Sequence, residues 1–87
     1  MGCFLVPVQT NIDIIFKWDA NIEEDLAGYK LYYSTVSGTN NMVLLVDVGN
    51  VTTYTVNLIN QRYFFSLKAY DLDNLLSDFS NVVSYIP

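Results

Sequence analysis

The length, charge and composition of the chain exclude several classes of function. Its 87 residues are enough for one domain, and its formal net charge is −5. The four cations, Lys17, Lys30, Arg62 and Lys68, give no basic face for nucleic acid or anionic lipid. Histidine, the usual general base and the commonest transition-metal ligand, is absent. The chain is 52% hydrophobic and 15% aromatic, so we expect a protein partner to cover part of its apolar surface.

The N-terminal residues carry little signal. Met-Gly-Cys-Phe-Leu-Val-Pro lacks the charged region and full apolar region of a signal peptide, so none is expected. Cys3 is the single cysteine and excludes an internal disulfide. No segment approaches the about 20 apolar residues of a membrane span, so no membrane insertion is expected.

Alternation of apolar and polar residues with a period of two predicts an all-β domain, and no window keeps the stripe of a helix. Pro7 marks the first strand as an edge strand. Polar or turn-forming stretches separate the strands, including an acidic loop, residues 19–28, that ends in a glycine. Seven short strands are predicted: Cys3–Val8, Asn11–Trp18, Tyr29–Ser34, Met42–Val48, Thr53–Leu58, Tyr63–Tyr70 and Asn81–Ile86.

The alternation also predicts which side chains face the core. The fourth strand is apolar on both faces, so either Val43 and Leu45 or Leu44 and Val46 face outward. In the other central strands the predicted inward residues share one parity. They are Ile12, Ile14, Phe16, Trp18, Tyr29, Leu31, Tyr33, Tyr54, Val56, Leu58, Tyr63, Phe65, Leu67 and Ala69.

These residues resemble a fibronectin type III domain over residues 11–86. Trp18 matches the core tryptophan of strand B, and Tyr29, Leu31 and Tyr33 match strand C. Leu58 followed by Tyr63 resembles the tyrosine corner, whose phenol bonds back to the backbone near the E–F turn. Trp18-Asp-Ala-Asn, Asp25-Leu-Ala-Gly-Tyr and Gly49-Asn-Val-Thr-Thr-Tyr are closer to microbial and phage members. The resemblance implies a two-sheet antiparallel β-sandwich of seven strands in a single domain, residues 1–87.

The predicted F–G loop departs from the family pattern. Asp73-Asn-Leu-Leu76 has two leucines where a Gly-Asn pair is usual. It contains no Arg-Gly-Asp, so integrin-type adhesion is not expected.

Acidic residues are expected to gather at one end of the sandwich. Ca²⁺ binds carboxylate oxygens, and Asp71-Leu-Asp73-Asn begins like a calcium loop. Leu76 replaces the turn glycine and no glutamate closes that loop, so a solvated acidic end is the preferred interpretation. The acids in question are Asp19, Glu23, Glu24, Asp25, Asp47, Asp71, Asp73 and Asp78.

Catalysis is not expected, and neither is a cofactor or a resident metal. Glu23 and Glu24 could act as acid and base only in a cleft that raised one pKa, and their loop implies none. The serines and Cys3 have no histidine to activate them.

The outward residues of the sheet give the better functional hypothesis. Inward Leu31 and Phe65 place Tyr32, Phe64 and Tyr70 on the outer face, and an aromatic patch is typical of interface cores. Leu75 and Leu76 add exposed apolar surface at the F–G tip.

We therefore predict a non-catalytic domain that binds other protein subunits, as a homo- or hetero-oligomer. A free-standing domain of this kind that begins at its own Met1 is expected to be a bacteriophage virion structural or capsid decoration protein. The alternative is a carbohydrate- or cell-surface-adhesion module of an extracellular protein, in which Tyr32, Phe64 and Tyr70 stack on a glycan. A calcium-stabilised linker of a larger secreted enzyme is a third possibility.

Overall fold

The computed structural model describes Gly2 and residues 10–87. Six β-strands and no helix occur in these residues. The predicted strand Cys3–Val8, with Cys3 and Pro7, lies outside the described residues, which contain six strands where seven were predicted for the chain. The other six predictions are confirmed with ends shifted by at most three residues. The strands are β1 (Asn11–Lys17), β2 (Leu26–Ser34), β3 (Val43–Gly49), β4 (Thr53–Ile59), β5 (Tyr63–Asp71) and β6 (Val83–Tyr85).

The strands form two antiparallel sheets. One contains β1 and β4, and the other has the order β3-β2-β5-β6. In the larger sheet Leu31 lies opposite Leu67 and Tyr33 opposite Phe65, so the predicted inward residues of neighbouring strands share one face. The predicted all-β, two-sheet architecture is therefore confirmed.

The core lies between the two sheets. Leu31 and Phe65 are fully buried, and the half-buried Phe16 of β1 packs against them. The rings of Phe16 and Phe65 meet edge to face with centroids 4.6 Å apart, a favourable arrangement for aromatic pairs. Val56 brings β4 into the same cluster. Burial of these apolar side chains joins the two sheets in a sandwich-like arrangement.

Irregular pairing decides which side of β3 faces the core. The register with β2 shifts between Leu31 and Tyr32, which lie opposite Val46 and Leu44. Leu45 is therefore an extra residue, as in a β-bulge. Val43 and Leu44 are both exposed, whereas Leu45 and Val46 both pack against the core. Both predicted alternations are therefore wrong, because a bulge interrupts the period of two.

The predicted loop of residues 19–28 is shorter than expected, because β2 begins at Leu26. Gly28 lies within the strand, opposite Tyr70, whose ring covers it. A Cβ at this position would lie 2.6 Å from the Tyr70 Oη and 2.9 Å from the Gly49 carbonyl carbon. Gly28 is thus required by close packing in a strand.

Two serines continue the edge of β5 beyond its pairing with β6. Ser77 donates its N–H to the Ala69 carbonyl at 2.8 Å and accepts the Ala69 N–H on its Oγ at 2.9 Å. Ser80 makes the same two contacts with Leu67, at 2.8 and 2.9 Å. Side-chain hydroxyls therefore replace strand backbone along this edge.

Candidate functional site

The three predicted aromatic residues lie on the outer face of the four-stranded sheet, as strand parity requires. Tyr32 is opposite Ser66, Phe64 opposite Ser34 and Tyr70 opposite Gly28. All three aromatic side chains are half-buried. The face is thus partly covered by side chains of the chain itself.

Phe79 provides the cover over Tyr32. Their rings meet edge to face with centroids 5.2 Å apart. The Lys68 Nζ lies 4.3 Å from the Phe79 centroid and 5.6 Å from that of Tyr32. Contacts of this kind are attractive, because a cation favours the negative face of an aromatic ring. Tyr32, Lys68 and Phe79 therefore form one cluster.

Tyr70 forms a second cluster at the other end of the same face. Its phenol donates a hydrogen bond to Asp47 Oδ1 at 2.9 Å, and the Lys30 Nζ lies 5.3 Å from its ring centroid. The hydrogen bond to Asp47 raises the pKa of the Tyr70 phenol above its ordinary value of 10.0, with smaller contributions from desolvation and from the Asp47 charge. Tyr70 is thus held in place by its neighbours.

At one end of the sandwich, large aliphatic side chains are more exposed than these aromatic residues. This end carries residues 19–25 and 71–78 and is here called the loop end. Ile22 is 98% exposed, Leu72 73% and Leu75 67%. Leu76 is also exposed. Leu75 and Leu76 are predicted interface residues, whereas Ile22 and Leu72 were not predicted from the sequence. The sequence feature that could have indicated Ile22 as an interface residue is an isolated isoleucine in an acidic loop.

Hydrogen bonds hold the loop end in a defined shape. Leu72 donates its N–H to the Asp25 carbonyl at 3.0 Å, which joins the two loops. Asp71 Oδ1 accepts the N–H groups of Asp73 and Leu75, both at 2.9 Å. Asn74 has φ 63°, so it occupies the left-handed conformation for which glycine is more usual. Leu75 is therefore exposed on an ordered turn.

The carboxylates of the loop end do not form a metal site in the described part of the chain. No group of three or more candidate ligand residues lies close enough to hold an ion there. The Asp71 oxygen that would begin a calcium loop instead accepts two backbone N–H groups of its own turn.

The predicted core residues lie between the sheets or beside them. Tyr29, Leu31, Tyr63 and Phe65 are buried, whereas Trp18, Tyr33 and Leu58 are half-buried. The Tyr63 phenol donates to the Ile59 carbonyl at 2.8 Å, the bond to backbone that the resemblance implies.

A groove of about 250 Å³ lies beside Trp18, between β1 and the β5–β6 side of the larger sheet. The Trp18 ring packs edge to face on Tyr29 at 5.5 Å, and within the described residues its buried Nε1 has no hydrogen-bond acceptor. Glu23 and Glu24 lie outside this groove and are exposed.

Comparisons with known proteins add no identification. No protein-family model matches the chain, and no relative was found among curated proteins. Residues 10–87 include no helix long and apolar enough to span a membrane.

Proposed function

We propose that the chain is a fibronectin type III-like domain of the microbial or phage type that binds protein and catalyses no reaction. Two observations support the fold assignment. The sheets β1-β4 and β3-β2-β5-β6 have the order that strands B-E and C′-C-F-G take in that family. The Tyr63–Ile59 hydrogen bond matches the tyrosine corner.

The proposed role is that of a bacteriophage virion structural or decoration protein that packs against neighbouring subunits. The observation that carries it is the exposure of Ile22, Leu72, Leu75 and Leu76 on ordered loops. Exposed apolar clusters with a polar rim are typical of protein interfaces, because contact removes their surface from water. The step from interface to virion rests on analogy with phage-type members of the family.

Mass spectrometry of purified phage particles encoded by the same genome tests this role. Peptides of the chain are expected at the abundance of a structural protein. Leu75→Ser with Leu76→Ser is expected to lower the number of copies per particle, because it removes apolar contact area. Ile15→Ser is the matched control, since Ile15 is 65% exposed on the other sheet. Absence of the chain from particles would contradict the proposal.

The carbohydrate alternative has weaker support. A sugar stacks on an open aromatic face, but Lys68 lies over the Tyr32 ring and Lys30 over that of Tyr70. A glycan array separates the two functions. Binding that is lost in Tyr32→Ser and retained in Leu75→Ser would favour adhesion to carbohydrate.

A further inference from the structure

Two of the four cations of the chain lie side by side on the outer face of the larger sheet. Lys30 and Lys68 are directly opposite each other in the β2–β5 pair. Like charges in this arrangement destabilise a sheet, so an anionic occupant would relieve their repulsion. We call this surface the lysine face. It comprises Lys30, Tyr32, Lys68, Tyr70 and Phe79.

A carboxylate on the same face belongs to Asp47, which lies opposite Lys30. Its Oδ1 already accepts hydrogen bonds from the Tyr70 phenol and the Gly49 N–H. Lys68 lies one strand farther away, and its Nζ lies over the rings of Phe79 and Tyr32. The lysine face therefore combines cationic groups with aromatic surface.

The loop end has the complementary character. Residues 19–25 and 71–78 contain seven of the nine acidic residues and no lysine or arginine. Glu23, Glu24 and Asp73 are exposed there beside the four aliphatic side chains. A surface that complements the loop end must therefore offer apolar area and positive charge together.

We propose that the loop end of one copy docks on the lysine face of a second copy. This inference rests on the proposed function, and it names the neighbouring subunit. Ile22, Leu72 and Leu75 pack on the part of the Tyr32 and Phe79 side chains that stays exposed beside Lys68, while the surrounding carboxylates approach Lys30 and Lys68. The proposed contact is heterologous, because each copy uses its loop end on one neighbour and its lysine face on another, and contacts of this kind generate a ring or a filament.

Sedimentation velocity of the purified chain tests the proposal. The average mass of the wild type is expected to rise with concentration up to about 1 mM, the weak end of measurable affinity. Added salt is expected to lower that mass, because it screens the charges. Glu23→Lys/Glu24→Lys/Asp73→Lys and Lys30→Glu/Lys68→Glu are each expected to remain monomeric.

An equimolar mixture of the two charge variants gives the decisive measurement. In the mixture the unchanged loop end of Lys30→Glu/Lys68→Glu meets the unchanged lysine face of Glu23→Lys/Glu24→Lys/Asp73→Lys, so association between the two variants is expected to return. Lys17→Glu/Arg62→Glu is the matched control. It changes the net charge as much as Lys30→Glu/Lys68→Glu does, but at positions outside the lysine face, and it is expected to associate like the wild type.

Three outcomes would overturn the proposal. They are a wild type that stays monomeric at about 1 mM, association unaffected by salt and by both charge variants, and a mixture that does not associate. Thermal melts verify that each variant folds. A monomeric wild type that is nevertheless incorporated into particles through Leu75 and Leu76 would remove self-docking and leave the proposed function intact.

Discussion

At the scale of single residues, Tyr70 shows how an outward side chain acquires a structural role. Strand parity places it on the outer face, and the structure uses its ring to cover Gly28 and its phenol to bind Asp47. Asn74 similarly supplies the left-handed conformation that the predicted F–G loop needs in place of a glycine. The role of Tyr70 depends on neighbours that are distant in sequence, and that of Asn74 depends on its backbone angle φ.

Tyr70→Phe is expected to change the dependence of stability on pH. The phenol pKa is raised in the folded chain, so the contribution of the hydrogen bond is fully present below the unfolded pKa near 10.0. It is lost as the pH rises through the folded pKa, where a phenolate would face the Asp47 carboxylate. Urea unfolding at pH 7 and pH 11 checks this. The wild type should lose its advantage over Tyr70→Phe at the higher pH, and an unchanged difference would contradict the assignment.

At the scale of elements, the larger sheet is shaped by interruptions of regular pairing. β6 is only three residues long, and Ser77 and Ser80 carry the edge onward through their hydroxyls. On the opposite edge, beside the bulge near Leu45, Val43 and Leu44 are exposed. Irregular edges of this kind limit uncontrolled strand pairing with other chains.

Ser77→Ala and Ser80→Ala are each expected to lower the free energy of unfolding by about 0.5–1.5 kcal/mol, the net worth of a typical hydrogen bond. The reason is that the Ala69 or Leu67 N–H loses its acceptor. Ser37→Ala, at an exposed turn position, is the control and should stay within about 0.5 kcal/mol. Hydrogen exchange should also quicken at Ala69 in Ser77→Ala, and equal effects of all three variants would contradict this role.

At the scale of the whole molecule, one apolar cluster joins both sheets. Leu31 and Phe65 come from the larger sheet and Val56 from the smaller, with Phe16 packed against them. Part of the apolar surface that does not fit in this cluster is exposed at the loop end and on β3. Stability and the proposed binding function thus use different apolar residues of the same chain.

Leu31→Ala is expected to lower the free energy of unfolding by about 2–5 kcal/mol, because it removes a fully buried side chain and leaves a cavity. Leu44→Ala, on the exposed side of β3, should change it by less than about 0.5 kcal/mol. Chemical denaturation measures both values. A similar loss of unfolding free energy in the two variants would contradict the assignment of Leu31 to the core.

The sequence by itself determined the six strands of residues 10–87 and the inward parity of Tyr29, Leu31, Tyr63 and Phe65. A period of two leaves only one face for the core, so alternation is a local signal. The same alternation placed Tyr32, Phe64 and Tyr70 on the outer face. It could not show that Phe79 and Asp47 partly occupy that face, because these contacts join segments far apart in the chain.

Only the tertiary structure decided where the chain offers free surface. The bulge in β3 determined which of its residues pack against the core, because an inserted residue shifts the parity of those that follow it. The bond between Leu72 and Asp25 brought two loops together, and with them Ile22, Leu72, Leu75 and Leu76. The pairing of β2 with β5 set Lys30 beside Lys68. Each of these features depends on which residues become neighbours after folding, and a pattern read along one segment does not contain that information.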